Sequence, residues 1–395
     1  MKLDSRKIVA SAAALAVLGA TAAAASAAQH GPTHTGVRAA GSLPRAHAAS
    51  GVHAVRGAQK DRRVLRVATK PQRPPFKSLW SRQMGGMLEF PPAIGARASY
   101  IETSDGRVVA SSARTGRPLW TSQLAAPLAS RPALDSDSLY VSSLGGFVYA
   151  LRQKDGTVRW QFAVGARSES SPLLVDGVLY FGAQDGSLFA LDAKTGQVRW
   201  RQHVDGAIKG APAITSGRLV VGSYDGHVYA FDPKTGRVIW RTEGAALGQF
   251  YSSPAISGGR VYIGSTDGNI YAFALSGGRG LWSHKTAGYV YASPVIDHGT
   301  LYAGSYDGSL YALDTDTGRA RWSYAVGGRI SGSATVVDGI VYVATLAGGS
   351  YGIDTRSGVQ LWHSPIGYYS PVAASSNAFY LVGASSLSRL HTIHP

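Results

Sequence analysis

Cysteine is missing from this 395-residue chain. That excludes a disulfide framework, a thiol nucleophile, an iron–sulfur cluster, cysteine-ligated zinc and a lipidated N-terminal cysteine. Glutamate is almost missing as well: Glu89, Glu102, Glu169 and Glu243 are the only four. Apart from one Ala-rich stretch near the N-terminus there is no strongly apolar run long enough for a helical membrane span. Helical spacing of apolar residues is also lacking, and the frequent glycines would disable a helical repeat. What is abundant is 49 Gly and 20 Tyr, the composition of turns and strands. With 45% hydrophobic residues, a chain of this length buries a large core.

Residues 1–28 read as a signal peptide. Lys2, Arg6 and Lys7 precede an apolar run from Ile8 to Ala20, and Ala25-Ser26-Ala27 fits a small-residue cleavage site. Retention as an N-terminal anchor is the alternative, but Ala, Gly and Thr prevail where Leu and Phe would favour a stable span. Residues 29–75 form a basic linker with no Trp, Tyr or Phe. Such a segment buries too little apolar surface to offset its chain entropy, so disorder is expected. Through residue 75, twelve Lys and Arg face only Asp4 and Asp61, so this part holds +10 of the formal +16. The remainder is ordinary in charge, and no specific nucleic-acid binding follows from the high pI. The linker is expected to act as a spacer, with contact to anionic surfaces as a second role. Its four histidines, His30, His34, His47 and His53, are irregularly spaced and read as composition, not as a metal site.

The tryptophans set the architecture. Trp80, Trp120, Trp160, Trp200, Trp240, Trp282, Trp322 and Trp362 stand 40 residues apart, with one interval of 42. A period near 40 with internal turn signals indicates propeller blades. One unit, residues 170–206, divides into four short β-branched or aromatic runs closed by Asp-Gly or Thr-Gly pairs. Those pairs supply the positive φ that tight hairpins need, so each unit reads as four antiparallel strands. Seven complete units end at Trp120 through Trp362, three further strands follow Trp362, and the orphan strand around Trp80 precedes the first unit. The expected fold is all-β: a closed eight-bladed β-propeller over residues 76–395, with four antiparallel strands per blade. The N-terminal strand is expected to complete the last blade, because closure removes exposed sheet edges.

Within each unit one spacing recurs, as in Ala190-Asp192-Thr195-Gly196-Trp200, Ala230-Asp232-Thr235-Gly236-Trp240 and Ala312-Asp314-Thr317-Gly318-Trp322. Small Ala and Gly leave room for a flat indole against a neighbouring blade, and the Asp caps the tight turn. The eight tryptophans are therefore assigned a structural role. This Ala-x-Asp-x-x-Thr-Gly-x-x-x-Trp pattern resembles the tryptophan-docking repeat of the PQQ-like (quinoprotein dehydrogenase-like) eight-bladed propellers, which also occurs in the non-catalytic BamB-like outer-membrane assembly factors. It departs from the pattern at Arg152 and Ala274, where the Asp is missing, and at Gly352, where the Ala is missing.

The resemblance implies two functional classes. The enzymes of the family hold pyrroloquinoline quinone above calcium, with a carboxylate base and, in many members, a vicinal disulfide. Here the disulfide is impossible, the propeller's only asparagines are Asn269 and Asn377, and Asp155, Asp185, Asp225, Asp267 and Asp307 read as turn residues. None of the family's catalytic residues maps onto this chain, so no catalytic residue, metal or cofactor is assigned. PQQ with calcium belongs only to the alternative reading, a PQQ-dependent dehydrogenase with an atypical site. His391 and His394 are the only closely spaced histidines of the propeller and lie at the chain end. No Gly-x-Ser-x-Gly elbow opens a helix, and the glycines lack the following helix of a phosphate loop.

A binding surface is the stronger expectation. Aligned on the first-strand prolines (Pro92, Pro132, Pro172, Pro212, Pro254, Pro294 and Pro371, with Ala334 in the seventh unit), one loop position falls at the channel entrance. Three residues before the proline it carries Glu89, Ala129, Glu169, Lys209, Tyr251, Tyr291, Ser331 and Tyr368. Structural need would favour one residue type throughout, so this variation marks a site presented by a rigid scaffold. Glu89, Glu169, Lys209, Tyr251, Tyr291 and Tyr368 are the candidate ligand-binding residues; a Lys209–Glu169 ion pair, if formed, carries no mechanism by itself. The expected protein is a monomeric, secreted or envelope-exposed binding or scaffolding module with a protein or glycan partner.

Overall fold

The computed structural model describes residues 73–244, 246–375 and 378–393. The signal peptide expected over 1–28 and the basic linker up to residue 72 lie outside the described residues, as do Asn377 and His394. The described residues hold thirty-two strands and no helix, arranged in eight four-stranded antiparallel sheets. The third blade shows the plan: Leu173–Val175, Val178–Gly182, Ser187–Asp192 and Val198–His203, hydrogen-bonded in chain order.

Burial explains the order. The second strand is buried along its whole length, whereas the fourth is mostly exposed. The first strands of successive blades touch one another, which places them around the central channel and the fourth strands at the rim. The core lies between sheets, not within them. One cluster joins Tyr180, Leu188 and Trp200 of the third blade to Ile214, Leu219, Val221 and Phe231 of the fourth. Each sheet is apolar on both faces because each is sandwiched by two neighbours.

The indoles occupy the joints between blades. Trp160 lies against Gly196 of the next blade, where a Cβ would come within 2.8 Å of the ring. The Gly196 φ of 74° suits the same tight turn, so glycine answers two demands there. The turn is capped as expected: the Asp192 carboxylate accepts from the amides of Lys194 and Thr195 at 3.1 and 3.0 Å. Six indole N–H groups, from Trp120 to Trp322, donate to a backbone carbonyl of the following blade at 2.9–3.1 Å. A partner that sequence reasoning missed is the second-strand tyrosine. Tyr180, Tyr262 and Tyr302 each pack on the tryptophan of their own blade and donate to the same carbonyl that it uses.

The ring closes as expected. Phe76–Gln83 is the outer strand of the last sheet, antiparallel to Ser386–Thr392, with Phe76 opposite Thr392 and Gln83 opposite Ser386. Phe76 stacks on Phe379 at 4.7 Å and meets the edge of Trp362 at 5.7 Å. The joint at this seam differs from the others. Arg389 donates to the Ala113 carbonyl at 2.6 Å, the acceptor that Trp80 would use by analogy, and the Trp80 indole N–H has no partner among the described residues. The buried Tyr342 hydroxyl is likewise unpartnered there. The last sheet takes its outer strand from Phe76–Gln83, so its third and fourth strands are not joined by the hairpin turn that supplies the acceptor carbonyl at the other joints.

Candidate functional site at one mouth of the channel

The loops from a fourth strand to the next first strand share one face of the ring with the turns between second and third strands. Two blades clamp most of these loops. Before the fourth blade, the Ile208 amide donates to Ala183 O in the third blade, while Ala207 O accepts from the Tyr224 amide of the fourth, both at 3.0 Å. Buried Ile208 anchors the loop from below. Residue 209 is thus held on a rigid support, one residue beyond the anchor.

The structure brings most of the sequence candidates together. Lys209 Nζ lies 3.3 Å from Glu169 Oε1, which also accepts a short hydrogen bond from the Gln184 amide. The same ammonium sits 5.2 Å from the Tyr224 ring centre and 5.6 Å from that of Tyr251. Tyr251 meets Tyr291 edge-on at 5.0 Å, and Tyr291 meets Tyr306 at 4.7 Å. Tyr289 joins the same group, and the Arg329 guanidinium lies 5.7 Å over Tyr306. The result is an arc of tyrosines across the fourth to sixth blades with a cation at each end. Tyr368 packs on Tyr369 at 5.1 Å, and it is Tyr369 whose hydroxyl shares the field of Glu89, Tyr306 and Glu169.

Charge and burial act on one another here. Burial raises the Glu89 carboxyl above its ordinary range, and the Glu169 charge raises it further. Burial likewise pushes the Tyr251 hydroxyl well up, reinforced by Glu169, Tyr224, Tyr369 and Glu89. Tyr224 is raised by burial first and then by Glu169. Glutamates of the first and third blades therefore act on tyrosines of the fourth, fifth and eighth, which is the signature of groups gathered near one axis.

Sequence alignment on the prolines missed Tyr224, Tyr306 and Gln184 because they belong to the other set of loops. They occupy the place just before the Asp-Gly pair of the second turn (Gly145-Gly146 in the second blade), which carries Ser104, Leu144, Gln184, Tyr224, Thr266 and Tyr306 in the first six blades. That position is as uneven as the one used, so the signal was present in the sequence.

The arrangement suits recognition. Tyrosine rings offer flat contact area with a hydroxyl at one end. The donor set does not fit a calcium-held quinone. Calcium asks for six to eight oxygens, Glu169 is already engaged by Lys209 and Gln184, and no group of three His, Asp or Glu converges among the described residues. Two shallow clefts lie elsewhere. One, of about 400 Å³, adjoins Arg73 and Trp362 at the seam. The other, of about 480 Å³, is formed by Asp297, His298 and Arg356 on the opposite face.

A family model described as outer membrane protein assembly factor BamB matches residues 104–200, 176–289 and 285–385. No curated protein sequence matches the chain. Among solved structures, BamB from Moraxella catarrhalis superposes with a TM-score of 0.69 at 16% identity, covering 81% of this chain and 98% of that one. A quinohemoprotein alcohol dehydrogenase from Comamonas testosteroni gives 0.68 at 13% identity, covering 81% and 78%. The computationally designed protein Ika8 gives 0.68 at 18% identity, covering 80% and 98%. At such identities these likenesses concern the fold.

Proposed function

This chain belongs to the family of the outer membrane protein assembly factor BamB, and from that premise we propose that it is a non-catalytic binding or scaffolding module of the cell envelope. It engages a protein or glycan through the channel mouth. The observation that carries this reading is the tyrosine arc of Tyr224, Tyr251, Tyr291 and Tyr306, set on loops clamped between blades. Those side chains are only partly buried, so their packing does not consume them. Aromatic area on a rigid support binds at low entropic cost. Export by the segment 1–28 agrees with an envelope location. The family description names an assembly factor, which favours a protein partner over a glycan.

The test is capture by the purified full chain and by a variant with Tyr251, Tyr291 and Tyr368 changed to Ala. Envelope proteins and envelope polysaccharide are offered separately. Loss of one class of capture, with an unchanged melting temperature, supports the reading and identifies the partner class. Undiminished capture by a folded variant retires it. The alternative, a PQQ-dependent dehydrogenase, has the shared fold in its favour. Dye reduction by alcohols or sugars after addition of PQQ and calcium would establish it instead.

A further inference from the structure

At the mouth the chain holds a cation of its own, and its surroundings show what kind of group they accept. The Lys209 ammonium lies 3.3 Å from Glu169 Oε1 and stands 5.2 and 5.6 Å from the ring centres of Tyr224 and Tyr251. The Gln184 side-chain amide donates to the same Glu169 oxygen and steadies the carboxylate. Tyrosine faces carry negative potential, so two rings and a carboxylate together form a receptor for a cation. The loop itself does not require a lysine. Its equivalents in other blades carry glutamate, alanine, tyrosine or serine, and backbone bonds at Ala207 and Ile208 hold it in place.

Lys209 fills this receptor as a replaceable occupant. Its side chain and that of Glu169 are each 21% exposed, and an ion pair left partly in water is weakly held. The ammonium reaches the receptor on a flexible four-carbon stem, so it can turn away while the clamped loop stays in place. Acid also exceeds base around it. Glu89 occupies the same loop position two blades before Glu169, and Ser370 Oγ donates to its carbonyl oxygen at 3.3 Å, next to Tyr369. The Glu89 carboxylate forms no ion pair or hydrogen bond among the described residues, and Glu169 is the charge that acts on it. Arg329, at the far end of the arc, is exposed and lies over Tyr306.

We propose that the mouth receives a basic side chain of its protein partner, which takes the place of Lys209 against Glu169, Tyr224 and Tyr251. An arginine suits the receptor best. Its planar guanidinium stacks on a tyrosine face and meets a carboxylate with two donors at once, which an ammonium does not. The same ring faces and the excess of acid disfavour an acidic group. This inference rests on the reading of the mouth as a protein-binding surface and adds the chemistry that it recognises.

Calorimetric titration of the full chain with end-blocked tri-arginine, tri-citrulline and tri-glutamate peptides tests it. The chain carries a formal charge of +16, so unspecific attraction works against tri-arginine, and its saturable binding requires a local site. Tri-arginine is expected to bind saturably and more tightly than tri-citrulline, its neutral isostere. E169Q is expected to weaken that binding about tenfold. K209M keeps the stem without the charge and is expected to strengthen it about threefold. Melting curves show which variants fold; should E169Q not fold, Y224L takes its place, with an expected loss of about threefold. The proposal is overturned if tri-arginine binds no better than tri-citrulline, if the acid or ring variant binds it like the parent, or if K209M gains nothing. It is also overturned if tri-glutamate binds and K209M abolishes that binding. Capture of envelope proteins that depends on Tyr251, Tyr291 and Tyr368 while tri-arginine fails would leave the mouth a binding surface and retire only its basic specificity.

Discussion

The indole N–H of Trp200 donates to the carbonyl oxygen of Pro233, in the next blade, at 2.9 Å. The Tyr180 hydroxyl donates to that same oxygen at 3.0 Å. One carbonyl therefore satisfies the buried polar atoms of two large aromatic side chains, which lets both serve as apolar filling without an orphaned donor. At the seam, Trp80 has no such acceptor.

That contrast sets the order of tryptophan substitutions. Trp200→Ala is expected to lower stability by about 3–5 kcal/mol, as for other large aromatic truncations in a core. Trp200→Phe forfeits a hydrogen bond that Trp80→Phe does not, so the two should differ by about 1 kcal/mol beyond their packing terms. Urea denaturation midpoints of the variants measure both. Equal losses for the two Phe variants would show that the indole bonds contribute nothing.

Gly196 faces the Trp160 ring with no room for a methyl group and has a positive φ. Gly196→Ala therefore combines strain with overpacking, and a loss of about 2–4 kcal/mol is expected. Gly280→Ala is the control, because nothing lies within 4 Å of its added methyl and its φ is ordinary. That variant should unfold at the parent midpoint, within about 0.5 kcal/mol.

The seam is the place where opening begins. Its closing strand, Phe76–Gln83, is held by the Ser386–Thr392 ladder and the Phe76–Phe379 stack, and its tryptophan lacks the joint's hydrogen bond. Amides of Phe76–Gln83 should exchange with deuterium ahead of those in Val198–His203, the equivalent strand of the third blade. Phe76→Ala should widen the gap. Removal of residues 76–83 should expose the Ser386–Thr392 edge and produce concentration-dependent association, read by light scattering.

Glu102 is a pH-dependent liability. Its carboxyl is fully enclosed, and burial raises it well above the ordinary 4.5 in spite of the Ser130 bonds. Below that value the folded and unfolded chains both hold the proton and the residue costs nothing. As pH rises, the unfolded chain releases its proton first, so stability falls until the folded carboxyl ionises too. Glu102→Gln keeps a hydrogen-bonding amide and cannot ionise. Its melting temperature should match the parent at about pH 4 and exceed it at about pH 8, with a flatter profile between. A parent profile that rises over this range would contradict the assignment.

Much of this was legible beforehand. The Trp80-to-Trp362 spacing announced the blade count, and the unattached run at Phe76–Gln83 announced the closure, because a strand with no hairpin partner in sequence must find one elsewhere. The Asp192 cap and the Gly196 turn were equally legible, since their demands are local. Tyr180 as a second donor to Pro233 was not, because 53 residues separate them and no spacing rule couples a second strand to the next blade's turn. At the mouth, the shared loop position makes Glu169, Lys209, Tyr251 and Tyr291 legible, and they stand together. Tyr224 and Tyr306 were overlooked because they enter from a different loop.

The sequence by itself determined the repeat, the strand pairing and the identity of the closing strand. All three follow from local turn chemistry and a period that leaves each sheet with two apolar faces to cover. Only the tertiary structure decided which variable residues meet. Once eight sheets stand around one axis, loops up to hundreds of residues apart converge on it. Burial and mutual fields then act on Glu89, Tyr251 and Tyr369 as on neighbours.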